Sequence, residues 1–304
     1  MTLEQLRIFV AVAEREHVTR GARALNLTQS ATSAAIAALE ARYATQLFDR
    51  IGRRVALTDA GRLFLTEAKA VLARAAAAEL ALADLSGLKI GSLKLAASQT
   101  VGNYWLPQYL KHYRCVHPNI DISLEIGNTE EVVALVQNGL VSLGFVEGES
   151  NVSCLRAIAV AKDEIVLVAP RGSAWLDHFT KEPADLTSVP WVIREVGSGT
   201  RALLMAVLRE NEIDLSDIDI ALVLPTNETV RAAVEVGAGV SLMSRLAASS
   251  SLATGSLVTI DYPLPTRNFL MVRHEEHNLT AAEREFVSLV KQTNKNISDE
   301  LPRD

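Results

Sequence analysis

The stretch from Leu3 to Thr58 constrains this 304-residue chain more than any other, because its apolar residues recur at helical spacing and stop at fixed punctuation. Leu6, Phe9, Val10 and Ala13 fall on one face of a first helix, with Glu4, Arg7 and Glu14 off it. A second, shorter helix is expected from about Thr19 to Leu25, where Ala22 and Leu25 face inward and Gly21 and Ala24 allow close helix contact. Asn26-Leu27-Thr28 then makes a helix-helix turn, with Thr28 as N-cap of a third helix from Gln29 to about Arg42. In that helix Thr32, Ile36 and Leu39 belong to the buried face, whereas Gln29, Ser30 and Ser33 cluster on the opposite side of its first turn.

A polar first turn can reach base edges in a major groove, where Gln pairs bidentately with adenine and Ser donates or accepts. Arg50, Arg53 and Arg54 sit around Gly52 ahead of Val55-Ala56-Leu57, a short wing whose guanidinium groups can meet phosphates or a minor groove. The pattern predicts a winged helix-turn-helix over residues 1–58, with Thr28, Gln29, Ser30, Ser33, Arg50, Arg53 and Arg54 at double-stranded DNA. A three-helix packing unit with a polar surface is the alternative. Charge distribution bears on the choice. Residues 1–65 hold nine arginines against six acids, so +3, and the remainder must carry −9 to give the net charge of −6. A basic head on an acidic body suits a DNA reader with a separate sensing module.

From Asp59 to about Leu85 the chain reads as one alanine-rich helix with Thr58 as N-cap, a linker over 59–90. Phe64, Ala68, Val71, Ala75, Ala78, Leu82 and Leu85 alternate at spacings of four and three, a heptad seam that can pair two subunits. A helix packed only on its own domain is the alternative.

Beyond residue 91 short apolar strands alternate with amphipathic helices, which implies an α/β domain over 91–304 with parallel sheet and crossover helices. The expected strands begin near Leu93, Ile120, Leu143, Glu164, Trp191, Ile218, Ser241, Leu257 and Phe269, and the helices near Val101, Glu130, Arg201, Thr229 and Ala281. Two lobes follow, about 91–161 with 267–292, and about 162–266. At four strand ends, hydroxyl or amide residues precede a helix: Ser98-Gln99-Thr100, Asn128-Thr129, Ser198-Gly199-Thr200 and Thr226-Asn227. Ligands of open α/β sheets bind at strand carboxyl ends, and several helix N-termini on one cleft favour an anion. Each could also be an ordinary cap; Asn128 with Glu131 is a capping box. Arg194 and Arg201 are possible charge partners, and Glu147 could orient a ligand donor or neutralise an arginine. The expected effector contacts are Ser98, Gln99, Thr100, Asn128, Thr129, Glu147, Arg194, Ser198, Thr200 and Asn227.

Several of these residues also carry a resemblance. Leu3-x-x-Leu6-x-x-Phe9, Thr28-Gln29-Ser30-Ala31, Ser33-x-x-Ile36-x-x-Leu39-Glu40, Leu47-Phe48-Asp49-Arg50 and Leu57-Thr58-x-Ala60-Gly61 together resemble the N-terminal signature of LysR-type transcriptional regulators. Gly102-Asn103-Tyr104, Phe145 to Glu149 and Arg194 to Arg201 resemble the branch that regulates sulfur assimilation and carbon fixation. Two departures stand in the third helix: Thr32 replaces a usual apolar residue, and Ala34 and Ala35 replace longer polar ones. The resemblance implies a two-lobed domain like periplasmic binding proteins, a small anionic effector and a two-fold-related operator. It also implies a homodimer or homotetramer, with RNA polymerase as a further partner.

Other classes fit less well. Gly197-Ser198-Gly199-Thr200-Arg201-Ala202 matches a dinucleotide fingerprint, but Leu224-Pro225-Thr226 stands where the ribose-binding acid belongs, which counts against a dinucleotide enzyme. An architectural DNA binder would not need two α/β lobes. The six histidines are scattered, so no catalytic or metal constellation and no cofactor is expected. Cys115 and Cys154 lack metal-ligand or disulfide spacing, and the chain shows no membrane span or leader, so a cytoplasmic location is expected.

Overall fold

Helix α1 (Leu3–Ala13) opens at Thr2 with a capping box: the Gln5 N–H donates to the Thr2 hydroxyl and the Thr2 N–H to the Gln5 side chain. Two more helices follow, α2 (Val18–Ala24) and α3 (Gln29–Tyr43), then a hairpin of β1 (Phe48–Ile51) and β2 (Arg54–Leu57), then the long α4 (Asp59–Leu85). These elements belong to the computed structural model of the chain, which describes residues 1–51, 54–85, 91–148, 154–179, 185–275 and 277–294. It divides into two units that part near residue 88.

The first unit has one core. Leu6, Phe9 and Val12 of α1 meet Ile36 and Leu39 of α3, Phe48 of the hairpin and Phe64 and Ala68 of α4. Gly21 allows this packing, since a Cβ there would stand 2.6 Å from Val12 Cγ2. Thr32, expected to replace an apolar side chain at little cost, is fully buried, and its hydroxyl donates to the Thr28 carbonyl at 3.0 Å.

Among the described residues the second unit contains three sheets, of five, three and two strands. In its first lobe, β3 (Gly91–Ser98) pairs in parallel with β4 (Ile120–Gly127) and β5 (Leu143–Glu147). Strand β12 (Arg267–His274) lies antiparallel between β5 and β6 (Leu155–Asp163), so the order is β4-β3-β5-β12-β6. A π-helical turn (Val101–Trp105), α5 (Pro107–Val116) and α10 (Ala281–Thr293) cover one face through Trp105, Tyr113, Phe145, Phe269 and Phe286. Helix α6 (Thr129–Gln137) covers the other through Val132 and Val136.

The chain crosses to a second lobe after Asp163. There β7 (Ile165–Pro170) runs antiparallel between β10 (Ser241–Ser244) and β11 (Leu257–Ile260), while β8 (Pro190–Arg194) pairs in parallel with β9 (Asp219–Leu224). A bridge from Trp191 to Val240 joins the two groups of strands. Helix α7 (Gly199–Glu210) packs on one side, α8 (Asn227–Glu235) and α9 (Arg245–Thr254) on the other.

The expectation of parallel sheet is therefore corrected to mixed sheets. The lobes are joined by antiparallel returns, and a strand that re-enters a sheet after a long excursion carries no local sign of its direction. Strand β6 and helix α9 were not expected: β6 mixes Arg156 and Lys162 into its alternation, and α9 is a run of Ala and Ser without a clear apolar stripe.

Candidate functional site

The N-terminus of α3 is capped by Thr28, whose hydroxyl accepts from the Ala31 N–H at 3.2 Å and lies 3.1 Å from the Ser30 hydroxyl. Gln29 and Ser30 are exposed and Ser33 is half-buried, so the first turn presents a polar surface to solvent. The wing is held by a residue that sequence reasoning assigned only to a motif: the Glu40 carboxylate accepts from the N–H groups of Leu47 and Phe48 at 2.8 and 3.2 Å. Thr58 adds a bond from its hydroxyl to the Gln46 carbonyl at 2.8 Å and caps α4 through the Gly61 N–H at 2.9 Å. Arg53 lies outside the described residues, as do the side chains of Arg50 and Arg54.

The heptad seam needs a correction at its start. Ala68 is buried in the core of its own unit, and Phe64 is half-buried against that core, its ring tilted 4.9 Å from that of Phe9. Leu63, Val71 and Ala78 face solvent, and the Leu82 and Leu85 side chains lie outside the description.

In the second unit the residues expected around one cleft are brought together, but they bond chiefly to each other. Glu147, at the end of β5, is buried; the Ser98 hydroxyl donates to its carboxylate, and Thr100 Oγ1 donates to Oε1 at 3.2 Å. From the second lobe, Asn227 Nδ2 donates to Thr100 Oγ1 at 3.0 Å, and Arg194 Nη1 donates to Asn227 Oδ1 at 2.6 Å. Arg194 also forks onto Glu195 at 2.8 and 2.9 Å. Gln99 bridges the lobes twice: its Oε1 accepts from the Asn227 N–H at 3.2 Å and its Nε2 donates to the Pro225 carbonyl at 2.8 Å.

Ser198 caps α7 by accepting from the Thr200 N–H at 3.3 Å. Thr200 Oγ1 accepts from Arg267 Nη1 at 3.2 Å. Asn128 and Glu131 form the expected capping box at 2.8 and 3.0 Å. The Glu130 N–H reaches the Gly197 carbonyl at 3.2 Å, so the starts of α6 and α7 adjoin.

Beside this network lies a cleft of about 870 Å³, bordered by Thr129, Glu147, Ser198 and Arg201 and by Ala202 and Met205 of α7. The Thr129 hydroxyl is buried and, among the described residues, has no hydrogen-bond partner. Arg267, also on the border, forks onto Asp163, which accepts from the Ser244 hydroxyl at 2.6 Å. Burial pushes the Asp163 carboxyl up despite Arg267. Sequence reasoning missed Asp163, Arg267 and Ser244, partners far apart in the chain that share no local pattern. It also missed a clasp at α8, where Tyr104 Oη and Asn103 Nδ2 donate to Glu228 Oε1 at 2.6 and 3.3 Å.

Among the described residues no helix is long and apolar enough to cross a membrane, and no group of His, Cys, Asp and Glu could hold a metal ion.

Comparison with known proteins adds the family. Residues 3–62 match the bacterial regulatory helix-turn-helix protein model of the lysR family, and residues 86–295 match the LysR substrate binding domain. The transcriptional regulator YeiE of Escherichia coli K12, itself described as uncharacterized, is 33% identical over 97% of this chain and 98% of its own length. The regulator CbbR of Rhodospirillum rubrum is 30% identical over 92% and 93%. The regulatory domain of CcmR from Synechocystis PCC6803, solved in complex with 2-PG, superposes with a TM-score of 0.60 at 23% identity, covering 68% of this chain and 99% of that one. A polar recognition turn, a wing and a two-lobed α/β unit thus stand in a chain that belongs to the LysR family of bacterial transcriptional regulators, DNA-binding proteins that respond to small ligands.

Proposed function

We propose that a small anion, held in the cleft between the two lobes, is the signal to which this regulator responds. The observation that carries the reading is the Thr129 hydroxyl, buried without a partner among the described residues where α6 begins, beside the start of α7 and on the border of the same cleft as Arg201. A buried hydroxyl without a partner is costly unless a ligand or water completes it, and adjoining helix N-termini favour negative charge. The likeness to a regulatory domain solved with 2-PG supports a small ligand in this fold.

Binding between lobes favours one closed arrangement, and a change in lobe arrangement alters how paired subunits present their DNA-reading turns. The protein acts as a homodimer or homotetramer on a two-fold-related operator in the cytoplasm, with RNA polymerase as a partner. Gln29, Ser30 and Ser33 read bases, and Arg50, Arg53 and Arg54 meet the backbone. The test is thermal unfolding of the wild-type protein with sulfite, sulfate, thiosulfate and small carboxylates, followed by footprinting with any that bind. At a hundredfold excess over Kd the effector should add about 2.7 kcal/mol. A wild type whose stability and footprint respond to no anion refutes the reading.

A further inference from the structure

A buried carboxylate is commonly held by an ion pair, and Glu147 is held otherwise. It is 2% exposed, and among the described residues it forms no ion pair and accepts from the hydroxyls of Ser98 and Thr100. The buried guanidinium groups nearby are engaged, Arg267 with Asp163 and Arg194 with Glu195.

The hydrogen bonds around Glu147 run in one direction. Arg194 donates to Asn227 at 2.6 Å, Asn227 to Thr100 at 3.0 Å, and Thr100 to Glu147 at 3.2 Å. The chain starts at a cation in the second lobe and ends at an acid in the first, the order in which each bond polarises the next. The start of α7 lies against the same residue: a Cβ on Gly199 would stand 2.7 Å from Glu147 Cγ and 2.8 Å from its carbonyl oxygen. Two hydroxyls, one of them ending a polarised chain from Arg194, would seat a free anion, and the start of α7 adjoins them. Here they converge on a side chain of the protein.

We propose that Glu147 is a tethered competitor of the effector: its carboxylate fills the anion seat made by the hydroxyls of Ser98 and Thr100 beside the start of α7, and an effector entering by the adjoining cleft turns it out. This rests on reading the cleft as the effector site, and it narrows the effector class. A tethered group acts at high effective concentration, so a simple monocarboxylate, offering the same acceptors, cannot displace it. The effector must be an oxyanion or polyfunctional acid whose further oxygens reach donors that Glu147 leaves unused, the Thr129 hydroxyl first among them.

The test uses the full-length wild type, Glu147→Ala and Glu147→Gln, with thermal unfolding in acetate or sulfate against sodium chloride at matched ionic strength. Glu147→Ala should unfold at lower temperature than the wild type and recover part of the loss in acetate, while acetate leaves the wild type unmoved. Glu147→Gln should bind sulfate at least tenfold more tightly than the wild type. Where Glu147→Ala yields no folded protein in either salt, the Glu147→Gln comparison decides alone. Failure of acetate to restore a folded Glu147→Ala overturns the proposal. So does sulfate binding that is equal, weaker or absent in Glu147→Gln, since weaker binding would make Glu147 a direct ligand. The effector reading is judged separately, on the wild-type footprint.

Discussion

Replacing Thr100 by Val tests the network at its centre, because one hydroxyl serves both lobes. Its proton goes to Glu147 and its oxygen accepts from Asn227, at 3.2 and 3.0 Å, and the residue is 1% exposed. Valine keeps the shape and removes both bonds. A hydrogen bond to a charged group contributes about 1.5–3 kcal/mol, and a buried amide left without an acceptor costs about 1–3 kcal/mol. Because the two losses share one network, they should not add fully, and we expect about 3 kcal/mol in all. For a domain of this size that is a fall of roughly 6–12 °C in unfolding temperature. Thr100→Ser retains the hydroxyl and loses a methyl group, so its cost should stay near 1 kcal/mol. Urea unfolding of the three proteins without ligand separates these cases. A valine variant within 1 kcal/mol of wild type, or a serine variant as unstable as valine, would refute a structural role for this hydroxyl.

Four further outcomes are expected. Glu40→Ala should cost about 1–3 kcal/mol and weaken DNA binding across sequences, because two wing N–H groups lose their acceptor; unchanged affinity in gel shifts counts against it. Gly199→Ala should destabilise by about 1–3 kcal/mol, since the added carbon meets Glu147 backbone and side chain at under 3.0 Å. Val71→Asp, on an exposed position of α4, should leave the fold intact and reduce assembly in light scattering; a wild type that is monomeric at micromolar concentration removes the seam. Burial pushes the Glu228 carboxyl up, but the bond from Tyr104, with a backbone N–H, Asn103 and Arg231, outweighs it and holds the group low. With a folded value below the unfolded one, the clasp stabilises above the ordinary carboxylate range and is lost as pH falls through the lowered value. Tyr104→Phe should flatten that acid limb, and an unchanged pH profile would exclude the coupling.

What could be read in advance divides by the distance over which residues act. The helix-turn-helix was legible because Leu6, Phe9, Ile36 and Leu39 repeat at short range and Thr28 caps within three residues. The helix-end residues of the second unit were legible for the same reason, each being a local capping signal. Their pairing was not: Ser98 meets Glu147 and Thr100 meets Asn227 only after two lobes fold, and Asp163 finds Arg267 across 104 positions. Sequence therefore indicates where donors gather, while Glu147, the acid that meets them, carries no local signal that sets it apart from the other possible contacts. Phe64 shows what spacing alone leaves out: the same ring that falls on the seam is half-buried against the core beside Phe9.

The place of β12 between β5 and β6 sets an order of events at the ribosome. Strands β5 and β6 emerge early yet have no bond to each other; both wait for a strand that begins at Arg267. Until then each presents an open edge, the feature most apt to recruit another nascent chain. The second lobe, contiguous from Ile165 to Ile260, can complete its sheet first and so shortens the gap that β12 must close. Synthesis halted between residues 260 and 267 would thus release a chain with one finished lobe and one split lobe, a substrate for chaperones rather than a smaller working protein.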